Sequence, residues 1–355
     1  MNWSAFLLEH QPFAHGAPVC LASLRASPED FRVDELASFE PSGEGEHVFL
    51  HIRKRNQNTA WVAGRLAEAA GVPLDAVSYA GLKDRRAVTT QWFSVHVPNR
   101  QLPDFSPVWC DDIELLTQTW NARKLKRGAH LGNRFHLVLR DVDGAPEAID
   151  ARLQTLADGG VPNYIGPQRF GHGNANLAAG ESLLAGKPRR RLNHREGLMI
   201  SAVRSAFFNR VLGERVAAGQ WAVMLPGDVL MLDGRGSFFR PEADDEALPS
   251  RIQAQELHPT GPLFGRGVPA VTEDVLALEQ TVSALTEGLA ERLGAFGLEA
   301  QRRALRLRVG DLHWEHGADG SLHLSFALPS GAFATSVLRE LAQLRESGLH
   351  EVPVE

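Results

Sequence analysis

Between Val77 and Val97 the chain places one carboxylate among three cations: Lys83, Asp84, Arg85 and Arg86 are consecutive. The apolar stretch Val77-Ser78-Tyr79-Ala80 precedes them and breaks at Gly81. After Thr90 and Gln91, the residues Trp92, Ser94 and His96 alternate with Phe93, Val95 and Val97. The pattern predicts strand, charged loop, strand. Flanking cations would keep Asp84 ionised even if partly buried. An ionised, desolvated carboxylate can attack an electrophilic carbon, so Asp84 is a candidate nucleophile. The commoner use of such a residue is a surface salt bridge. Two further readings stand beside these. Asp84 could form an acid/base couple with Glu35 or Asp34, as in a glycosidic hydrolase, or the cations could bind RNA without catalysis.

Cationic stretches recur at 53–55 (Arg53, Lys54, Arg55), at 123–127 (Arg123, Lys124, Lys126, Arg127) and at 187–195 (Lys187, Arg189, Arg190, Arg191, Arg195). No acidic residue interrupts Leu115 to Arg140. The chain as a whole carries a formal charge of −6. Three basic patches in an acidic chain favour a polyanion path. Phe31, Phe135 and Phe170 lie near cations and could stack on bases, although each also suits a core. There is no GxxxxGK[ST], HExxH or paired CxxC. GHGNAN at 171–176 follows no clear strand and reads as a turn-rich loop. The fourteen histidines show no ligand spacing, so no metal is expected.

The elements that must position Asp84 follow from periodicity. Val19 to Leu24 is extended, Ser27 to Asp30 is a turn, and Phe31 to Glu35 alternates as a strand. Val48, Leu50 and Ile52 form the next strand. Asn58 or Thr59 caps a helix to about Ala70, closed by Gly71. Gly132-Asn133 turns into a strand from Phe135 to Arg140. Helices are expected over 148–157, 196–218, 273–295 and 332–344. Strand patterns return at Leu305, Leu307 and Val309 and at Leu322, Leu324, Phe326 and Leu328. The stretch GGVPNYIGPQRFGHGNAN is too irregular for either element and marks a boundary. The chain has 355 residues and is 43% hydrophobic, enough for about two domains. The natural organisation is discontinuous, with strands before Gly160 and after Ala304 sharing one sheet. Cys20 and Cys110 cannot build a disulfide framework, which fits a reducing cytoplasm. MNWSAFLLEHQPF lacks a basic start, so no signal peptide is expected, and no run reaches membrane-spanning length.

YAGLKDRRAVTTQWFSV, with LRASPEDFRVDE upstream, resembles the signature of the TruD family of RNA pseudouridine synthases. NARKLKRGAHLGNRF, VPNYIGPQRFG, SAVRSAFFN and LPSGAFATSVLREL resemble further family segments in the same order, from about Leu24 to Leu344. The resemblance implies a mixed, largely antiparallel α/β (α+β) sheet of the pseudouridine synthase type. Its catalytic domain would be discontinuous, 1–158 and 304–355, around an inserted α/β domain, 159–303. It implies isomerisation of uridine to pseudouridine without a cofactor, at position 13 of certain tRNAs, by base flipping and covalent catalysis. Asp84 would be the nucleophile. Phe31, Asn133, Phe135 and Phe333 fall at motif positions that line the active site, and Arg25 is the expected cationic partner of Asp84. Lys124, Arg127, Arg189, Arg190 and Arg191 are the first candidates for RNA contact. The expected partner is tRNA, with no membrane and no metal, and a monomer in the cytoplasm.

Overall fold

The computed structural model describes residues 3–189, 191–242, 245–286 and 288–346. Over these residues the chain forms two compact units. The first comprises, among the described residues, Val19–Ile149, Gly310–Gly331 and 342–346. It is built on one sheet of ten strands: β1 (Cys20–Leu24), β2 (Phe31–Ala37), β3 (His47–Arg55), β4 (Val77–Tyr79), β5 (Val88–His96), β6 (Ile113–Asn121), β7 (His130–Asp143) and three late strands. The late strands are β14 (Gly310–His316), β15 (Leu322–Pro329) and β16 (Ala342–Glu346). The spatial order is β14-β15-β7-β2-β5-β3-β6. β1 pairs with β7 and β16, and β4 with β5. Only β2/β5 and β1/β16 are parallel.

Strand alternation explains which face each residue takes. On β3, Val48, Leu50 and Ile52 are fully buried. They pack against Val62 and Leu66 of α1 (Thr59–Ala70) and against Phe93 of β5. Asn58 caps α1 by accepting from the Ala60 amide, and Gly71 closes it at φ 64, a left-handed turn that suits glycine. At the start of β2, Ser27 and Asp30 form a capping box. Asp30 accepts from Arg140 Nε at 3.0 Å and Nη2 at 2.7 Å, so β7 holds the turn that leads into β2.

The second unit comprises Met1–Pro18, Asp150–Val309 and Ala332–Leu341. α2 (Pro146–Gly159) carries the chain into it. It contains strands β8 (Val161–Pro162), β9 (Leu230–Leu232), β10 (Phe238–Phe239), β11 (Leu257–Leu263), β12 (Gln301–Ala304) and β13 (Arg306–Leu307). Its helices are α3 (Ala175–Ala185), α4 (His194–Ala217), α5 (Leu248–Gln253), α6 (Glu273–Ala284), α7 (Leu289–Ala295) and α8 (Ala334–Leu341). α4 is the spine; its Val203, Phe207 and Val211 are buried in one cluster with Trp3 and Phe6.

Four expectations meet differences here. β8 forms inside the stretch read as irregular, and α3 begins at its last two residues. The helix expected over 273–295 is two helices, because Gly288 adopts φ 83 between them. The closing helix stops at Leu341, and the chain continues as β16, with Ala342 paired in parallel to Cys20 and Leu344 to Ala22; long-range pairing overrides local helix preference. Packing also crosses the lines drawn at 159 and 303. Residues Met1–Pro18 and Ala332–Leu341 group with the middle segment, through Trp3 and Phe6 on α4 and the Ser336 hydroxyl bonded to the Tyr164 carbonyl at 2.7 Å.

Candidate active site

Asp84 lies in the loop between β4 and β5. Three fastenings from three elements hold this loop. Gln91 Nε2 on β5 donates to the Gly81 carbonyl at 3.1 Å. The Lys83 amide donates to Thr59 Oγ1 at 3.1 Å, and that hydroxyl donates to Gln91 Oε1 at 3.0 Å. Lys54 Nζ on β3 donates to the Asp84 carbonyl at 3.1 Å and to the Gln57 carbonyl at 2.8 Å. The backbone on either side of the carboxylate is therefore pinned to the sheet and to the first turn of α1.

The carboxylate itself meets Arg25. Arg25 Nη2 lies 3.3 Å from Asp84 Oδ2. Arg25 follows β1 at φ 62, a conformation uncommon outside glycine. Its guanidinium sits 3.9 Å over the Phe31 ring, within cation–π range. Phe31 meets Phe135 edge-on at 6.2 Å, and Phe135 stacks on Phe326 at 5.4 Å. Phe31 and Phe135 are only 3% and 6% exposed. The two rings form a wall that orients the Arg25 guanidinium, and the stacking face of Phe31 is already taken by it.

Asn133 joins through the neighbour of the carboxylate. Lys83 Nζ donates to Asn133 Oδ1 at 2.6 Å and pairs with Glu35 Oε2 at 2.9 Å, with both charged side chains buried. With its oxygen engaged, the remaining capacity of the Asn133 amide is as a donor. Gly132 permits this arrangement, since any Cβ there would collide with the Leu328 carbonyl of β15. His130, at the start of β7, lies 3.1 Å from Ser330 Oγ. Burial and then the Lys83 charge hold its pKa below the usual imidazole value.

Residues Arg25, Phe31, Asp84, Asn133 and Phe135 thus assemble within the first unit. Phe333 belongs to the second, half-buried against the cluster that holds Tyr164, Ile165 and Phe208. Lys124 donates to the Asp75 carbonyl at 2.8 Å, and Arg127 is exposed. In the second unit Arg189 pairs with Glu196 at 2.7 Å and Arg191 is exposed; Arg190 lies outside the described residues. The stretch 53–55 is not one patch. Arg53 and Arg55 take one face of β3 and pair with Glu114 and Glu29, while Lys54 takes the other and is fully buried. Burial pushes the Lys54 ammonium down to about 8, with Asp84 raising it and Lys83 lowering it further.

The two carboxylates considered as hydrolytic partners of Asp84 are each engaged with other groups. Glu35 is buried, paired with Lys83, and accepts from the Trp92 amide at 3.2 Å. Asp34 points to the other face of the sheet, where it accepts from Thr90 Oγ1 at 2.8 Å. Sequence reasoning missed Lys54, Thr59 and Gln91 as loop anchors. A signal was present for Lys54, which shares the parity of Val48, Leu50 and Ile52 on the apolar face.

The geometry can be compared with known proteins. The family model for tRNA pseudouridine synthase D matches residues 8–194 and 190–341. The chain belongs to the tRNA pseudouridine synthase D family. It is similar to the tRNA pseudouridine synthase D of Xanthomonas axonopodis pv. citri, 48% identical over 358 residues and 97% of each chain. It is similar at 48% identity over 339 residues to that of Methylococcus capsulatus, covering 95% of each. A solved chain from Methanosarcina mazei, named for tRNA pseudouridine synthase D, superimposes with a TM-score of 0.75 at 20% identity. That match covers 96% of this chain and 98% of the other, and it establishes the shared fold.

Proposed function

We propose that the protein isomerises uridine to pseudouridine in tRNA, at position 13, with Asp84 as nucleophile. The observation that carries this reading is the convergence on one carboxylate: Arg25 on its oxygen, Lys54 on its backbone, and Asn133 tied to its neighbour Lys83. Family membership supplies the reaction class and the substrate.

The chemistry follows from these groups. The target base must leave its stack, at a cost of a few kcal/mol. Asp84, paired with Arg25, attacks C1′ of the ribose or the uracil ring. The N1–C1′ bond breaks, the base rotates in place, C5 bonds to C1′, and the bond to Asp84 breaks to regenerate the carboxylate. C5 loses a proton and N1 gains one, so substrate and product have the same mass. The Asn133 amide is suited to donate to a uracil carbonyl. The exposed cations around Lys124 and Arg127 suit the phosphate backbone, because their loop touches the Asp84 loop: the Gly128 amide donates to the Ala80 carbonyl at 2.7 Å. Arg189 and Arg191 are further candidate RNA contacts, on the second unit. The same reading has the enzyme acting as a monomer in the cytoplasm, without a metal or cofactor.

The test is to incubate unmodified tRNA transcripts with the protein, derivatise with carbodiimide and map reverse-transcription stops. The reading expects a new stop at position 13 with no uracil released. Free uracil without a stop would favour glycosidic hydrolysis instead.

A further inference from the structure

We propose that Lys54 is a positioning residue for the nucleophile: its protonated amine holds the Asp84 backbone in place, and loss of that proton sets the alkaline limit of the reaction. This rests on the reading of Asp84 as nucleophile.

Lys54 stands in an apolar setting. It continues the face of Val48, Leu50 and Ile52, pairs with Thr89 of β5 and Ile113 of β6, and has no exposed surface. Burying an ammonium is costly unless its donors are satisfied, and an aliphatic side chain would fill the same space without that cost. Its hydrogen bonds go to the carbonyls of Gln57 and Asp84. These tie together the approach to α1 and the nucleophile itself, thirty residues apart in sequence from Lys54 to Asp84.

The charges facing Lys54 come from the loop. Asp84 favours its protonated form and Lys83 opposes it. Arg53 and Arg55, its neighbours on β3, turn to the opposite face and are paired there with Glu114, Glu29 and Asp112. Asp112 also accepts from Gln57 Nε2 at 3.4 Å, next to the carbonyl that Lys54 holds. Burial is the largest influence and brings the ammonium to about 8. A neutral amine has one donor fewer and loses the charge-assisted strength of both carbonyl bonds. Deprotonation therefore loosens the loop and removes a positive charge beside the Asp84 carboxylate, while the Arg25 pair persists.

Single-turnover pseudouridine formation on saturating tRNA, from about pH 6.5 to about pH 9.5, tests this in wild type, Lys54→Arg and Lys54→Met. Wild type is expected to lose rate above about pH 8. Lys54→Arg stays charged across the range, so its alkaline fall should vanish with the rate at neutral pH within about tenfold of wild type. Lys54→Met should be about 100-fold slower at neutral pH, with unchanged tRNA affinity and no alkaline fall. An alkaline fall shared by all three variants, as deprotonation of the uridine ring would give, overturns the proposal. So does a Met variant with the wild-type rate. Direct NMR titration of the Lys54 CεH2 group does not depend on activity or on the Met variant folding. A midpoint near 8 that drops in Asp84→Ala supports the proposal; a midpoint above about 9.5 overturns it. If wild type modified no tRNA, the functional reading would fail, and this titration would still decide whether Lys54 is coupled to Asp84.

Discussion

At the scale of single residues, the site is a carboxylate whose side chain and backbone are held by different partners. Arg25 pairs with the carboxylate, and the loop anchors fix the backbone. The guanidinium is held flat against Phe31, so its aim depends on planarity as well as charge. Arg25→Met is expected to lower the single-turnover rate about 100-fold with tRNA binding nearly unchanged, by removing the preorganised cation beside the reacting oxygen. Arg25→Lys should fall between the two, because an ammonium keeps the charge and loses the stacking. Equal rates in all three proteins would show that the ion pair is incidental. Asp84 was legible in the sequence as a carboxylate among cations, but its partner Arg25 did not stand out from spacing. Arg85 and Arg86 are adjacent in the chain, whereas Lys83 turns toward Glu35 and Asn133, and Arg25 reaches Asp84 from a distant strand end. A positive φ at a non-glycine residue leaves no mark in residue type.

At the scale of elements, the sheet is what brings these residues together. β7 carries Asn133 and Phe135 toward β2, which carries Phe31 and Glu35, with Phe31 paired to Leu137 and Glu35 to Asn133. The turn before β2 is held by Asp30, whose carboxylate is 1% exposed in its pair with Arg140. Burial alone would raise the Asp30 pKa, but Arg140 and the Ser27 amide outweigh it, and the net shift is downward. A carboxylate lowered on folding stabilises the fold above the ordinary carboxylate range and loses that contribution as pH falls through it. Asp30→Ala is therefore expected to cost about 2 kcal/mol near neutral pH and progressively less below about pH 4, measured by urea unfolding across pH. A cost that stays constant with pH would contradict this. Period-two alternation made β2, β3, β5, β7 and β15 legible, and cap residues made α1 legible to within a residue. β16 was not legible, because its partner β1 lies at the other end of the chain. Neither was the break between α6 and α7, where one glycine interrupts an otherwise continuous apolar stripe.

At the scale of the whole molecule, a chain with a net charge of −6 must present its cations locally to bind an anionic polymer. The stretch Arg123, Lys124 and Arg127 does so on the loop that touches the Asp84 loop. Reversing these three charges to Glu should weaken tRNA binding and flatten its dependence on salt. The log–log slope should fall by roughly 0.7 to 0.9 for each phosphate that is no longer neutralised. Binding titrations at several salt concentrations measure it. An unchanged slope would place the RNA elsewhere. The mixed α/β class and the joining of β15 to β7 were legible from the return of strand patterning near the C-terminus. The pattern at Leu305, Leu307 and Val309 misled, because Arg306–Leu307 pairs as β13 with β8 in the second unit and β14 follows it. The grouping of Met1–Pro18 with the middle of the chain was not, since a short aromatic segment does not announce which core receives it.

The central claim is that Asp84 performs the isomerisation. Purified wild type and Asp84→Asn should be compared on the same unmodified tRNA transcripts, with carbodiimide mapping of pseudouridine and a parallel binding titration. The account expects a stop at position 13 with wild type, none with Asp84→Asn, and similar tRNA affinity for both. Pseudouridine formed by Asp84→Asn at a rate near that of wild type would contradict it.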